Sequence, residues 1–270
     1  MCVTAGPARI TNTRTYVYVP PQGNDGIRHI CGYQNEAETD FGNCMFLNFA
    51  GTNLQLVRGP ELTTSFMRDM TSTLENLQWA IRGRGLSFGG TRSAAVTIEN
   101  YGDYTTLRAQ NPADILDALD DPQIPANRRP KRRSAIEAMA KFYQDFRPND
   151  SFVLACFAGR VKPKHPITVS YTPHNPNVLT VPGIDGHDGF VPKLGELVHR
   201  DFSVAFGVHG LDLRTPVSYQ DRVSDAWAPQ SVSGFVDNRE VAANGDYVVP
   251  MDAIADGYSG RALAYFLENK

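Results

Sequence analysis

The sequence lacks long apolar runs and a strong excess of either charge. No run approaches the roughly 20 apolar residues of a membrane-spanning helix, and the N-terminus lacks the basic and then apolar pattern of a secretory signal. A net charge of −3 points to no bulk polyanion as a partner. We therefore expect a cytoplasmic protein with neither a membrane nor a nucleic acid as its partner.

Paired cysteines are also lacking. The chain has four scattered cysteines, without a C-x-x-C pair or a recognised zinc spacing: Cys2, Cys31, Cys44 and Cys156. In a reducing compartment we expect them to be free thiols, and no motif calls for a cofactor.

The remaining composition is that of an ordinary globular protein. With 270 residues, of which 41% are hydrophobic and 20% charged, the chain can bury a substantial core. We expect a single domain over residues 1–270, with a basic loop at 121–133 between two central helices.

β-branched and aromatic residues predict strands at the start of the chain. Residues 10–19 end at a Pro-Pro pair, an extended pattern resumes near residue 28, and a further strand is expected at 44–50. Together these segments predict an antiparallel meander with Cys2 on or just before its first strand. A continuous apolar run at 152–159 predicts a strand that is buried on both faces.

Helical patterns concentrate in the middle of the chain. Apolar residues at steps of three and four predict a helix over 60–82, and a glycine-rich loop without the P-loop motif follows at 82–90. A short helix should begin after Asn111 as its N-cap, and a longer one at Ser134. A last helix is expected at about 251–269. Helices between two sets of strands predict an α+β fold with largely antiparallel sheets.

The first candidate for chemistry is Cys2. If Met1 is removed, a thiol and a free α-amine stand on one residue, and their usual pKa values of about 8.5 and about 8 allow a proton to pass between them near neutral pH. Buried cysteines in first strands are also ordinary core residues, so a structural role stays open.

With Cys2, a β-rich start and central helices, the chain resembles the N-terminal nucleophile hydrolases. The resemblance implies an αββα sandwich and a cysteine that attacks an amide carbonyl, with a small amide as the substrate. It also implies an arginine soon after the cysteine; Arg9 and Arg14 are both available, and Arg14 is the candidate. An oxyanion hole would use an asparagine such as Asn48, with Asn35 and Asn43 as alternatives.

The second candidate is the glycine-rich stretch 182–192. Asp185, His187 and Asp188 lie within four positions, and with His199 or His209 they would form the ligand set of a metal-dependent hydrolase. The same letters are typical of a tight turn, because Asp and Gly favour turns for backbone reasons alone.

Five basic residues crowd the entrance of the second central helix: Arg128, Arg129, Lys131, Arg132 and Arg133. They could bind a polyanion or pair with the neighbouring Asp120 and Asp121.

The alternative to an amide-bond hydrolase is a non-catalytic structural or interaction protein. It would assemble through its β-rich N-terminal region, with a partner or as a homo-oligomer, and it predicts that Met1 is retained.

Overall fold

The computed structural model describes most of the chain. The described residues are 2–22, 26–59, 62–77, 96–213, 215–220 and 223–255. The predicted glycine-rich loop at 82–90 lies outside them, as do the end of the predicted helix 60–82 and residues 256–269 of the predicted last helix.

The described residues form thirteen β-strands. They are β1 (Val3–Thr4), β2 (Arg9–Val19), β3 (His29–Phe49), β4 (Gly51–Leu56), β5 (Val96–Tyr101), β6 (Tyr104–Ala109), β7 (Ser151–Val161), β8 (Ile167–Pro173), β9 (Val178–Val181), β10 (Leu197–Val208), β11 (Thr215–Pro216), β12 (Ser231–Ala243) and β13 (Tyr247–Pro250).

Four helices accompany these strands in the described part of the chain. They are α1 (Thr64–Leu77), α2 (Pro112–Asp117), α3 (Arg133–Phe146) and α4 (Met251–Ala255). Asn111 caps α2 as predicted, since its side chain accepts a hydrogen bond from the Ala113 N–H at 3.0 Å. The longer helix, predicted to begin at Ser134, begins one residue earlier at Arg133, and its N-cap residue Arg132 makes no side-chain cap hydrogen bond. No helix in the described residues is long and apolar enough to cross a membrane.

Eleven strands belong to one mixed sheet. Its order is β11-β12-β10-β2-β3-β7-β6-β5, with β1 and β8 attached to β3 and β4 attached to β8. The β10–β2 pair is parallel and the other pairs are antiparallel. A separate small sheet consists of β13 and β9.

The α+β fold with a helix-centred αββα sandwich is therefore a wrong prediction, because the molecule is mostly β. The strands before and after the central helices do not form separate sheets. Instead β2 and β3 pair directly with β10, β7 and β8. The pattern of alternating segments carries no information on which strands pair, so it cannot tell one large sheet from two.

The long strand β3 organises the sheet. Its 21 residues run to Phe49, so the separately predicted strand 44–50 is the last part of this one strand. A bulge between Thr39 and Asn43 stands where a turn would otherwise divide it. At Gly42 a Cβ atom would lie 2.1 Å from the carbonyl oxygen of Arg129, so only glycine lets the 121–133 loop pass this close.

The core lies on both faces of this sheet. Met45 and Leu47 belong to one apolar cluster, whereas Cys44 and Phe46 belong to a second one on the opposite face. Strand β7 alternates in the same way, which confirms burial on both faces for residues 152–157 of the predicted 152–159, whereas Ala158 is half-buried and Gly159 is exposed. Helix α3 packs on the second cluster, where the rings of Tyr143 and Phe46 stack at 5.8 Å.

Candidate functional site

The first residues of the chain run alongside the stretch 185–188. Backbone hydrogen bonds join Gly186 N to Cys2 O (3.2 Å), Thr4 N to Gly186 O (2.8 Å) and Ala8 N to His187 O (2.9 Å). On its other side β1 pairs with β3. The two segments that the sequence predicted as separate sites, around Cys2 and around His187, are therefore one site.

The thiol of Cys2 contacts the imidazole of His187. The Sγ atom lies 3.7 Å from Nε2, and Oδ1 of Asp185 lies 2.9 Å from the same nitrogen. Asp185 Oδ1 has no hydrogen bond of good geometry, so its contact with His187 is a close charge contact. In a base that a carboxylate orients, the two partners use different ring nitrogens. Here both meet Nε2, so the arrangement is not a preformed proton relay.

A buried polar network continues from Cys2 into the core. Asn35 Nδ2 donates to Cys2 Sγ at 3.8 Å and to the Tyr33 hydroxyl at 3.3 Å, and Tyr104 donates its hydroxyl to Asn35 Oδ1 at 2.9 Å. Burial raises the pKa of Tyr33 and of Tyr104 well above the usual value for tyrosine, so both hydroxyls are donors at neutral pH. The network fixes Asn35, one of the asparagine candidates, against Cys2.

His187 carries a proton in this setting. Burial lowers its pKa, but the contacts with Asp185 and Cys2 outweigh burial and raise the pKa to about 10. The thiol of Cys2 therefore faces a cationic ring. Cys2 is 1% exposed, and the side chain of His187, at 24%, lies between it and solvent.

Asn244 holds together the two ends of the loop that carries His187, and we call this point the neck of the loop. The side chain of Asn244 accepts from Asp185 N (2.7 Å) and donates to Asp185 O (2.7 Å). Its backbone carbonyl accepts a hydrogen bond from Gly195 N (2.9 Å), and its backbone N–H donates one to Glu196 O (2.8 Å). Both ends of the segment are thus tied to one buried residue, and residues 185–196 form a compact loop with its ends together, which we call the 185–196 loop.

The outer side of this loop is apolar. In the described part of the chain, five large hydrophobic side chains are exposed: Phe190 (70%), Val191 (40%), Leu194 (36%), Leu197 (70%) and Val241 (50%). Four of them lie within eight residues of sequence. Val241 joins them because it pairs with His199, two residues from Leu197 on the same face of β10. We call these five side chains the apolar crest.

The other residues of the predicted hydrolase site lie elsewhere. Arg14 stands on β2 opposite Gln34, and no contact with Cys2 brings it into the cluster. Asn48 is buried and donates to Asp150 (3.3 Å) and Asp246 (3.1 Å), so its amide is already used. The roles predicted for these two residues stay predictions, without a geometry that supports them.

The predicted metal ligands do not all come together in the structure. Asp188 accepts from Phe190 N at 2.9 Å and so forms the turn that the sequence offered as the alternative. Of the two alternative histidines, His199 lies on β10 opposite Val241, and His209 directly follows the end of that strand. Within the described residues no group of three or more His, Cys, Asp or Glu side chains could hold a metal ion.

The basic cluster is largely used inside the chain. Arg133 pairs with Asp120 at 2.7 Å, and Arg129 donates to the carbonyls of Ile124 and Asp121. Arg128 donates to Thr105 and to the Gly102 carbonyl. These contacts favour the prediction of neighbouring partners over that of a polyanion site.

No family model matches the chain, and no curated protein matches it. Among solved structures it is similar to baculovirus P35, with a TM-score of 0.47 and 12% identity over 92% of this chain and 99% of that one. A mutated baculovirus P35 after caspase cleavage gives 0.46 and 11%, covering 88% and 97%. The caspase-8/P35 complex gives 0.42 and 14%, covering 73% of this chain and 63% of that one.

The geometry at Cys2 corrects the prediction of a hydrolase with an N-terminal nucleophile. The thiol is 1% exposed and lies beneath the ring of His187, so it is not open to an amide substrate. The resemblance of the first residues to the N-terminal nucleophile superfamily is itself not tested and stays a prediction.

Proposed function

We propose that the chain acts by binding a protein partner rather than by catalysing a reaction, and that the partner docks on the apolar crest. Single exposed hydrophobic residues are ordinary on protein surfaces, whereas clustered ones mark interaction sites. The observation that carries the proposal is that four of the five exposed large hydrophobic side chains of the described residues lie within positions 190–197, and that the fifth, Val241, stands on the strand paired with β10.

The shape of the surface restricts the partner. Phe190 and Leu194 lie on a loop whose ends are held together at Asn244, so the crest presents apolar side chains from a raised segment. A partner with a concave apolar pocket suits such a segment, with a large aromatic side chain as its anchor. A standard interface buries about 800 Å² on each side, so polar neighbours such as Lys193 and Glu196 would form its rim.

The sheet gives the N-terminal strands a different role from the one expected. Strand β2 lies between β10 and β3, and β3 lies between β2 and the strands β7 and β8. Over most of their length these two strands are paired with other strands on both edges, so a partner could not pair a further strand with them there. A partner would meet the N-terminal region through the crest, which lies next to it.

The test compares partner recovery by two variants in the native host. The double variant Phe190→Ser with Leu197→Ser removes the two most exposed apolar side chains, and Lys141→Ser on the outer face of α3 is the control. We expect proteins that are cross-linked to the wild type and to the control to be missing with the double variant. Purified caspase-8, which is bound to P35 in one of the structures above, serves as a defined probe. An identical set of proteins with all three chains would contradict the proposal.

A further inference from the structure

The 185–196 loop forms the solvent side of the environment of Cys2. Gly186 is hydrogen-bonded to Cys2 and Thr4, and the His187 ring contacts the thiol at 3.7 Å. At Gly189, which has φ +86°, the backbone passes so close to Gly6 that a Cβ would lie 3.0 Å from the Gly6 Cα. Moving this loop outward would therefore expose Cys2.

The inner side of Cys2 is formed by the sheet and its core. Asn35 contacts the thiol from β3, and Cys2 belongs to the same apolar cluster as Tyr33 and Met45. Opening on this side would require the core to come apart. The thiol therefore has one low-energy route to solvent, through the loop.

The other three cysteines have no such cover. Cys31 lies on β3 opposite Val17 of β2 and Val169 of β8, in the middle of three paired strands. Cys44 and Cys156 face each other on β3 and β7, under helix α3. All three are 0% exposed. Exposing Cys31 means separating strands of the main sheet, and exposing Cys44 or Cys156 means lifting α3 and its apolar cluster from the sheet.

We propose that the 185–196 loop is a hinged cover over Cys2, held shut at its neck by Asn244, and that Cys2 is the modification site that local opening presents to soft carbon electrophiles. Of residues 185–196 only Gly189 and Pro192 are buried. A segment that buries so little opens locally at a lower free energy than the whole protein, whereas core strands open only with global unfolding. The inference needs no free α-amine and does not rest on the proposed function.

The reaction is a simple substitution when the probe is iodoacetamide. The Cys2 sulfur forms a bond to the methylene carbon, the carbon–iodine bond breaks, and iodide leaves with the bonding pair. The thiol proton passes to solvent. The product is a carboxamidomethyl group on Cys2, which peptide mapping by mass spectrometry assigns to one cysteine.

The wild-type chain provides the main test. Alkylation rates of all four cysteines are measured at a series of urea concentrations below the unfolding transition. A local opening exposes little surface, so we expect the Cys2 rate to be nearly independent of urea and the fastest of the four. The rates of Cys31, Cys44 and Cys156 should rise steeply, because they report global unfolding. If Cys2 shares their slope, the cover does not exist.

Variants test the neck. Asn244→Ala removes two side-chain hydrogen bonds to Asp185, and it should speed Cys2 alkylation about tenfold while leaving the other three rates within the effect of general destabilisation. Ser231→Ala is the matched control, because Ser231 ties a different loop to β12 through Leu213 N and Leu211 O. Equal acceleration of all four cysteines by both variants, together with a steep urea dependence of Cys2 in the wild type, would overturn the proposal.

Discussion

Cys2 Sγ and His187 Nε2 lie 3.7 Å apart although 185 positions separate the two residues in the chain. The contact unites the two stretches that the sequence singled out for chemistry. It does so inside a closed and largely buried cluster, with Asp185 on the same ring nitrogen as the thiol. The contact therefore connects the N-terminal segment to the 185–196 loop.

The first prediction concerns the pH dependence of stability. The pKa of His187 is raised from 6.5 to about 10 in the folded protein, so the folded state binds more protons between these values. His187 therefore stabilises the fold fully below pH 6.5, and its contribution is lost as the pH rises towards 10, by at most about 1.4 kcal/mol per pH unit.

Urea unfolding of the wild type and of His187→Ala at pH 6 and pH 9 measures this effect. Groups that do not contact His187 contribute equally in both proteins, so the difference between the two isolates His187 and its partners. A difference in the free energy of unfolding that does not shrink at the higher pH would show that His187 is not charged in the folded state.

The second prediction concerns the buried carboxyl of Asp150. Burial raises its pKa from 3.8 to about 6, against the opposing effects of Arg147 and Asn48, while Asp246 lies nearby and repels its charge. Since the folded state binds the extra proton between these values, this group reduces stability as the pH rises from 4 to 6. Asp150→Asn should abolish that component, which chemical unfolding at pH 4, 5 and 6 would detect as a smaller decline than in the wild type.

The third prediction concerns Asn35. Replacing it by Ala leaves the Tyr104 hydroxyl without its acceptor in the core, and an unsatisfied buried polar group costs about 1–3 kcal/mol. Asn149→Ala is the control, because Asn149 is exposed and accepts the Gln110 side chain through its backbone carbonyl, which the substitution keeps, and it should change stability by less than about 0.5 kcal/mol. Equal urea midpoints for the two variants would count against a buried network at Cys2.

The fourth prediction concerns the passage of the 121–133 loop over β3. In Gly42→Ala the new methyl group would meet the Arg129 carbonyl, a backbone atom that cannot turn away. The hydrogen bond from Lys131 N to Gly42 O at 3.1 Å should also weaken. We expect a loss of about 1–3 kcal/mol in the free energy of unfolding. A thermal unfolding midpoint equal to that of the wild type would show that the loop adapts.

The sequence predicts those features that depend on interactions between neighbouring residues in the chain. The continuous apolar run of β7 and the N-cap at Asn111 depend on neighbours in the chain, and the structure has the buried strand and the cap. The pairing of β2 with β10 depends on residues nearly 190 positions apart, and no periodicity encodes it. This is why the fold class was wrong although many strands were placed correctly.

The candidate site shows the same division. Cys2, Asp185 and His187 were chosen for their side-chain chemistry, yet their contact was invisible because it arises from the topology. Asn244 carried no signal at all, since an asparagine near a glycine is typical of any turn. The apolar crest left a weak signal in the sequence. Phe190, Val191 and Leu194 are large apolar residues among glycines and prolines, in a stretch whose composition is typical of a turn.

The most direct measurement for a docking function is site-specific photo-cross-linking in the native host. A photoreactive phenylalanine analogue replaces Phe190 in one chain and Leu197 in another, and Lys141 on α3 in the control. We expect the two crest positions to give the same discrete cross-linked protein, and the control position to give none. Adducts that are absent at the crest, or equally abundant at the control position, would contradict the assignment of the crest as a protein-binding surface.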